Sequence, residues 1–150
     1  MYEYEYPHPA VTVDVALFTR RRERHCILLI KRAAYPCKDM WALPGGFVDI
    51  DEDLETAARR ELQEETGLSL GDVPFEQLYT FGAVDRDPRE RIITVVYYVF
   101  TADEKLVPRA GDDAKEAQWF ELDDLPALAF DHDEIIEMAR KRLNSETNQL

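Results

Sequence analysis

One segment of the chain, from Gly46 to Leu68, constrains the rest more than any other. Asp53 to Thr66 carries the apolar period of a helix, with Asp53 as the expected N-cap and Gly67 as the C-cap. At about 100° per residue, Leu54, Ala57, Ala58 and Leu62 form one apolar stripe, which needs a sheet to cover it. Glu61, Glu64 and Glu65 fall within an arc of roughly 100° along the edge of that stripe. Like charges at this spacing destabilise an isolated helix, and the helix dipole disfavours anions at the C-terminal end. A solvated acidic face is the ordinary origin of such a run. The other origin is a bound divalent cation, which reverses the sign of the cluster. Carboxylate oxygens suit Mg²⁺ or Mn²⁺.

Around this helix the pattern is mostly strand. Ala10–Thr19 alternates and is rich in Val, and His25–Arg32 returns from a charged turn at Arg20–Arg24, so the two predict a hairpin. Residues 33–44 read as a loop, and Gly45-Gly46 as a break before a short Phe47-Val48 strand. Glu76–Val84 and Ile92–Thr101 predict two more strands, joined by the charged loop Asp85–Arg91. The run Ile92–Phe100 is nearly all apolar, as for a strand covered on both faces. Ala117–Glu121 predicts a last strand, Leu122–Leu125 a helical turn and His132–Leu143 a C-terminal helix, with a fraying tail from Asn144. There are too few helices for a doubly wound sheet. The expected class is α/β in the α+β sense: one domain over residues 1–150, a mixed central sheet sandwiched between helices.

The formal charge of −13 argues against binding a nucleic-acid backbone or an anionic membrane. A small phosphate-bearing ligand stays possible where cations stand between it and the protein. Cys26 sits in an apolar run and Cys37 in a loop; neither forms a zinc or disulfide pattern. Met1–Pro9 has no basic start or apolar middle, so a cytoplasmic location is expected. His8 and His25 carry no partner pattern.

Gly46, Glu52, Arg60, Glu61, Leu62, Glu64, Glu65, Gly67 and Leu68 match every specified position of the Nudix box. The chain therefore resembles the Nudix hydrolase superfamily, which implies an α/β/α sandwich and hydrolysis of a nucleoside diphosphate linked to another group. The resemblance implies Glu61, Glu64 and Glu65 as metal ligands, often joined by the Gly46 carbonyl, and two or more Mg²⁺ or Mn²⁺ ions per site. Glu52 and Arg60 resemble the pair that clamps the preceding loop to the helix. The general base is expected from Glu64, from Glu65 or from Asp113 in the loop Gly111–Glu116, with Asp113 the first choice. Relatives often have Gly just before the first box glutamate, where this chain has Asp51, a less permissive residue for a turn.

Segments outside the box resemble the bacterial ADP-ribose pyrophosphatase branch and the sensor domain of NAD-metabolism repressors. They include Tyr6–Asp14, Trp41–Val48, Asp85–Arg89, Gly111–Ala114 and Ala129–His132. The resemblance implies ADP-ribose as substrate, with AMP and ribose 5-phosphate as products. Such a ligand needs charge, here from Arg32 and from Arg86 or Arg89. It needs a flat apolar surface, for which Phe47, Tyr79 and Phe130 are candidates, although core packing is the commoner role of such residues. His132 is a candidate hydrogen-bond partner for a ribose. Another Nudix substrate (an oxidised nucleotide, NADH or a dinucleoside polyphosphate) is the first alternative. A non-catalytic ADP-ribose sensor is the second; the winged helix of such regulators is not expected in a chain ending near Leu150. A homodimer is expected by family resemblance, with an exchanged N-terminal strand compatible with the apolar run there.

Overall fold

Strand β1 (Ala10–Arg21) is the spine of a seven-stranded mixed sheet in the computed structural model, which describes residues 1–147. It runs parallel to β6 (Ile92–Phe100) from Ala10↔Ile92 to Phe18↔Phe100. Its C-terminal half pairs antiparallel with β2 (Arg24–Arg32), from Phe18↔Ile27 to Arg21↔Arg24, which is the expected hairpin. Strand β3 (Trp41–Ala42) lies beyond β2, and β5 (Glu76–Phe81) forms the opposite edge against β6. Two strands branch off this path. The strand β4 (Gly45–Phe47) pairs with β1 over Thr12–Asp14, and β7 (Ala114–Glu121) pairs with β2. Thus β1 changes antiparallel partner along its length, and the space between the two partners becomes the cavity described below.

The period-2 side-chain alternation of strands builds two cores. Val13, Val15, Leu17, Leu28, Tyr97 and Val99 point to one face, where α1 (Leu54–Thr66) covers them with Ala57, Ala58 and Leu62. Ala16, Phe18, Ile27, Leu29, Val96 and Tyr98 point to the other, where α2 (His132–Thr147) supplies Ile135, Ile136, Ala139 and Leu143. The expected α/β/α sandwich with a mixed sheet is the observed one.

Several local expectations are corrected. Gly45 and Gly46 do not break a strand; they are part of β4. A Cβ on Gly45 would stand 2.2 Å from the Val13 carbonyl oxygen, so glycine here permits close strand approach. Asp53 has the extended backbone of an N-cap, but its side chain makes no capping hydrogen bond. Gly67 does take the left-handed conformation (φ 73°) that ends α1. Strand β5 stops at Phe81, and β7 starts at Ala114, extended across a bulge at Lys31/Arg32. Leu122–Leu125 is a non-helical turn, with the Asp124 N–H bonded to the Glu121 carbonyl. Residues 144–147 continue α2, where Glu146 accepts from Tyr98 Oη (2.9 Å) and Arg142 Nε (2.9 Å), the first of which ties the last turn to the sheet. The remainder of the tail lies outside the described residues.

Ile135 has no solvent exposure and is the centre of the α2 layer. Ile135→Ala removes buried methyl groups and leaves a cavity, so the unfolding free energy read from urea denaturation is expected to fall by about 2–5 kcal/mol.

Candidate functional site

The cavity at the β1 branch point measures about 420 Å³, within the range of small-molecule sites. One wall is acidic: Glu61, Glu64 and Glu65 from α1, with Asp112 and Asp113 from the loop before β7. The other wall is basic and aromatic: Arg32, Arg89, Phe47 and Phe130.

Arg60 organises the acidic wall. Its Nε and Nη2 donate to the two oxygens of Glu52 (2.9 and 2.5 Å), and Nη2 also reaches the Phe47 carbonyl oxygen (3.1 Å). Its Nη1 donates to Glu61 Oε1 (2.9 Å) and Glu64 Oε2 (3.1 Å). One guanidinium therefore ties the loop before the helix to two of the three clustered carboxylates. The bond from Arg60, joined by one from the Asp49 N–H, pulls the Glu52 pKa down to about 2. Glu61 moves the other way, because burial outweighs the help of Arg60.

Glu65 is the costly member. It is 7% exposed, and its Oε1 accepts from the Gly45 N–H at 2.7 Å. Burial raises its pKa to about 8 despite that bond, and the neighbouring Glu61, Asp14 and Asp113 carboxylates add to the rise. A group so placed either keeps its proton or acquires a cation.

Among the described residues no three His, Cys, Asp or Glu side chains already converge as a metal cage. The reason is visible: Arg60 Nη1 bridges Glu61 and Glu64, and Glu65 is turned to Gly45. The donor chemistry nonetheless fits a hard divalent cation. A positively charged nitrogen already stands between two carboxylates. Gly46 is cleared for close approach as well, since a Cβ there would lie 2.6 Å from the Glu61 carboxyl carbon.

The Asp112-Asp113 loop is seated by main-chain atoms. The Arg109 N–H donates to the Thr66 carbonyl (2.7 Å) and the Gly111 N–H to the Glu65 carbonyl (3.2 Å), satisfying carbonyls left open at the end of α1. A Cβ on Gly111 would stand 2.5 Å from the Glu64 carbonyl oxygen, so only glycine lets the loop come this close.

On the basic wall, Asp87 is buried and holds Arg89 through Nε and Nη2 (3.1 and 2.8 Å). The Arg89 guanidinium lies 5.2 Å from the Phe47 ring centroid and 5.4 Å from that of Phe130. Arg32 stands 4.9 Å over Phe130, and its Nε donates to the Pro36 carbonyl. Phe47 is half exposed rather than core, as its place in the cavity wall requires. Arg86 borders the cavity, but Nε and Nη2 are bound to Asp131 (2.8 and 2.7 Å), with its side chain 4% exposed. Tyr79 is exposed on the edge strand and is not part of the cavity wall. His132 is buried at the cavity floor, its Nδ1 accepting from the Leu43 N–H. Asp14, Asp87 and Thr94 were not singled out from sequence. The signal for Asp14 is an acid inside the Val-rich run Val11–Val15.

Residues 8–139 match the model of the NUDIX domain family. The chain belongs to the Nudix family. This Nudix chain is 46% identical over 133 residues to an ADP-ribose pyrophosphatase of Methanocaldococcus jannaschii, covering 87% of this chain and 73% of that protein. It is 39% identical over 148 residues to the ADPR-responsive transcriptional repressor NtrR of Acinetobacter baylyi, covering 95% of this chain and 58% of the repressor. Among solved structures, the NUDIX domain of Shewanella oneidensis NrtR complexed with ADP ribose superposes with a TM-score of 0.87. That match is at 34% identity, over 95% of this chain and 94% of the domain.

Two outcomes follow for the Nudix chain without metal. Glu65 has a folded pKa near 8 and an unfolded pKa of about 4.3. The folded state thus binds the extra proton between these values, and its stability falls as pH rises through them. Burial lowers the His132 pKa, which acts with the opposite sign below about 6.5. The difference between wild type and Glu65→Gln therefore isolates the glutamate: in EDTA, the variant is expected to lose less melting temperature from pH 5 to pH 8. Gly111→Ala forces the loop off a backbone oxygen and is expected to lower the unfolding free energy by about 1–3 kcal/mol in denaturant titration.

Proposed function

We propose that this Nudix hydrolase cleaves ADP-ribose to AMP and ribose 5-phosphate with Mg²⁺ or Mn²⁺, two or more ions per site. The observation that carries the reading is the pairing, in one cavity, of a carboxylate wall with an arginine–phenylalanine wall. A diphosphate needs cations to approach the first; a base and two riboses suit the second. The similarity to an ADP-ribose pyrophosphatase supports the same substrate.

Nudix hydrolases use divalent metal ions, and in this reading Glu61, Glu64, Glu65 and the Gly46 carbonyl hold them. When bound, such ions neutralise the diphosphate oxygens and acidify water. Arg60 and Glu52 keep the carboxylates in register with Gly46. Asp113 takes the proton from the attacking water, with Glu64 the alternative base. The water oxygen forms a new bond to phosphorus, the anhydride bond breaks, and two monophosphates leave. Arg32 and Arg89 meet the ligand's negative charge, and Phe47 or Phe130 stacks on adenine. Arg86, bound to Asp131, holds the Asp85–Arg91 loop in place behind them.

A second reading, an ADP-ribose sensor without turnover, is favoured by the similarity to a transcriptional repressor. We further propose a homodimer without nucleic-acid binding, acting in the cytoplasm. The exposed Tyr2, Tyr4 and Tyr6 support the first part and the charge of −13 the second. No helix among the described residues is long and apolar enough to cross a membrane.

Incubation with ADP-ribose, NADH, diadenosine polyphosphates and 8-oxo-dGTP separates these readings. Mg²⁺-dependent release of AMP from ADP-ribose is expected, abolished by EDTA. Glu64→Gln is expected to cost about 10²–10⁴-fold in kcat, and Asp113→Asn a similar factor if it is the base. Tight binding of ADP-ribose with no AMP released establishes the sensor instead, and preference for 8-oxo-dGTP overturns the substrate.

A further inference from the structure

His132 opens α2 on the side of the sheet opposite the carboxylate helix, yet it is bonded to the Leu43–Gly46 segment, whose glycines meet that helix. Its Nδ1 accepts from the Leu43 N–H at 3.0 Å. An accepting ring nitrogen carries no proton, so the ring proton sits on Nε2. That nitrogen faces Asp14 Oδ1 at 3.8 Å. Asp14 is fixed in turn: its Oδ2 accepts from the Thr94 hydroxyl at 2.6 Å, and its Oδ1 lies 2.4 Å from where a Cβ on Gly45 would stand. Burial pushes the His132 pKa down; Asp14 and Asp131 oppose that shift, while Arg86 and Arg32 reinforce it.

The segment Leu43–Gly46 is what these contacts hold. The Pro44 carbonyl accepts from the Val15 N–H at 2.8 Å, the Gly45 N–H donates to Glu65 Oε1 at 2.7 Å, and Gly46 backs onto the Glu61 carboxylate. Leu43 is bonded to α2, Pro44 to the sheet, and the two glycines meet α1. Moving Leu43 would shift the donor of Glu65 and the backbone beside Glu61 together.

We propose that His132 is a positioning residue: its Nε2-protonated imidazole braces the Leu43–Gly46 segment from the α2 side and so sets where Glu65 and Gly46 stand in the reaction centre. It acts on turnover through main chain, not by contact with the ligand. The kinetic part of the test rests on the ADP-ribose reading; the spectroscopic part does not.

The first measurement is the ring tautomer in the wild-type protein by long-range ¹H–¹⁵N correlation, with hydrogen exchange of the Leu43 amide. The Nε2–H form and a slowly exchanging Leu43 amide are expected. A ring protonated on Nδ1 or on both nitrogens, or an unprotected Leu43 amide, overturns the proposal. The second compares His132→Asn, whose side-chain oxygen can replace Nδ1 as acceptor, with His132→Gln, whose polar atoms reach toward the Nε2 position. His132→Gln is expected to lose about 10²-fold in kcat with KM for ADP-ribose unchanged and Leu43 exchange accelerated. His132→Asn is expected to restore Leu43 protection and most of the turnover. A raised KM with kcat intact and Leu43 still protected in His132→Gln makes the residue a ligand contact and overturns the proposal. Should either variant fail to fold, the wild-type tautomer and exchange decide. Absence of ADP-ribose turnover in the wild type would refute the substrate while leaving that decision intact.

Discussion

Three glutamates crowd the C-terminal half of α1, and the Arg60 guanidinium is what holds two of them, Glu61 and Glu64, side by side. Without it, the repulsion between Glu61 and Glu64 and the unfavourable end of the helix dipole would act on a helix with no basic residue in its last turn. Arg60 answers this with donors to Glu52, Glu61, Glu64 and the Phe47 carbonyl. The same contacts decide where the β4 strand and the Asp49–Glu52 turn sit. Glu65 lies outside Arg60's reach and leans on the Gly45 N–H instead, which ties it to a different element. The carboxylate set is therefore held by two supports, one ionic and local, one a main-chain donor presented by β4.

The sheet explains how one cavity acquires walls of opposite character. β1 sends odd-numbered side chains to the α1 layer and even-numbered ones to the α2 layer. Where it changes partner from β2 to β4, neither layer is sealed. The end of α1 reaches the opening from one side and the start of α2 from the other. Thr12 and Asp14 line this opening, and Thr94 donates to Asp14 behind it; all three are polar inside otherwise apolar strands. They belong to neither core.

Much of this was legible in the chain. The helix carrying Glu61, Glu64 and Glu65 was readable because its apolar stripe and its acidic edge have the same period, and Gly67 marks its end. β1, β2 and β6 were readable from their Val- and Ile-rich runs. What the chain does not display locally depends on contacts between distant segments. Gly45-Gly46 resembles a chain break until Val13 and Glu61 are seen to occupy the space a side chain would need. The last turn of α2 is polar; the Arg142–Glu146 pair is local, but nothing local announces that Tyr98 holds Glu146 from the sheet. Phe47 and Tyr79 have the composition of core residues, and only their strands' positions leave them exposed. Arg86 and Arg89 are three residues apart in one charged loop, yet Asp131 buries the first while Asp87 displays the second.

The loop that carries Asp112 and Asp113 grips α1 through the Arg109 and Gly111 amides and through the missing side chain of Gly111. None of these contacts uses the side chains that face the cavity. Anchorage and reactivity are therefore written in separate atoms. Descendants of this gene can exchange residue 113, and residue 112 within the few types that accept its left-handed backbone (φ 55°), without loosening the helix beneath, provided the glycine stays. The seam between loop and helix is in that sense a socket: it admits new chemistry into an old frame, one substitution at a time.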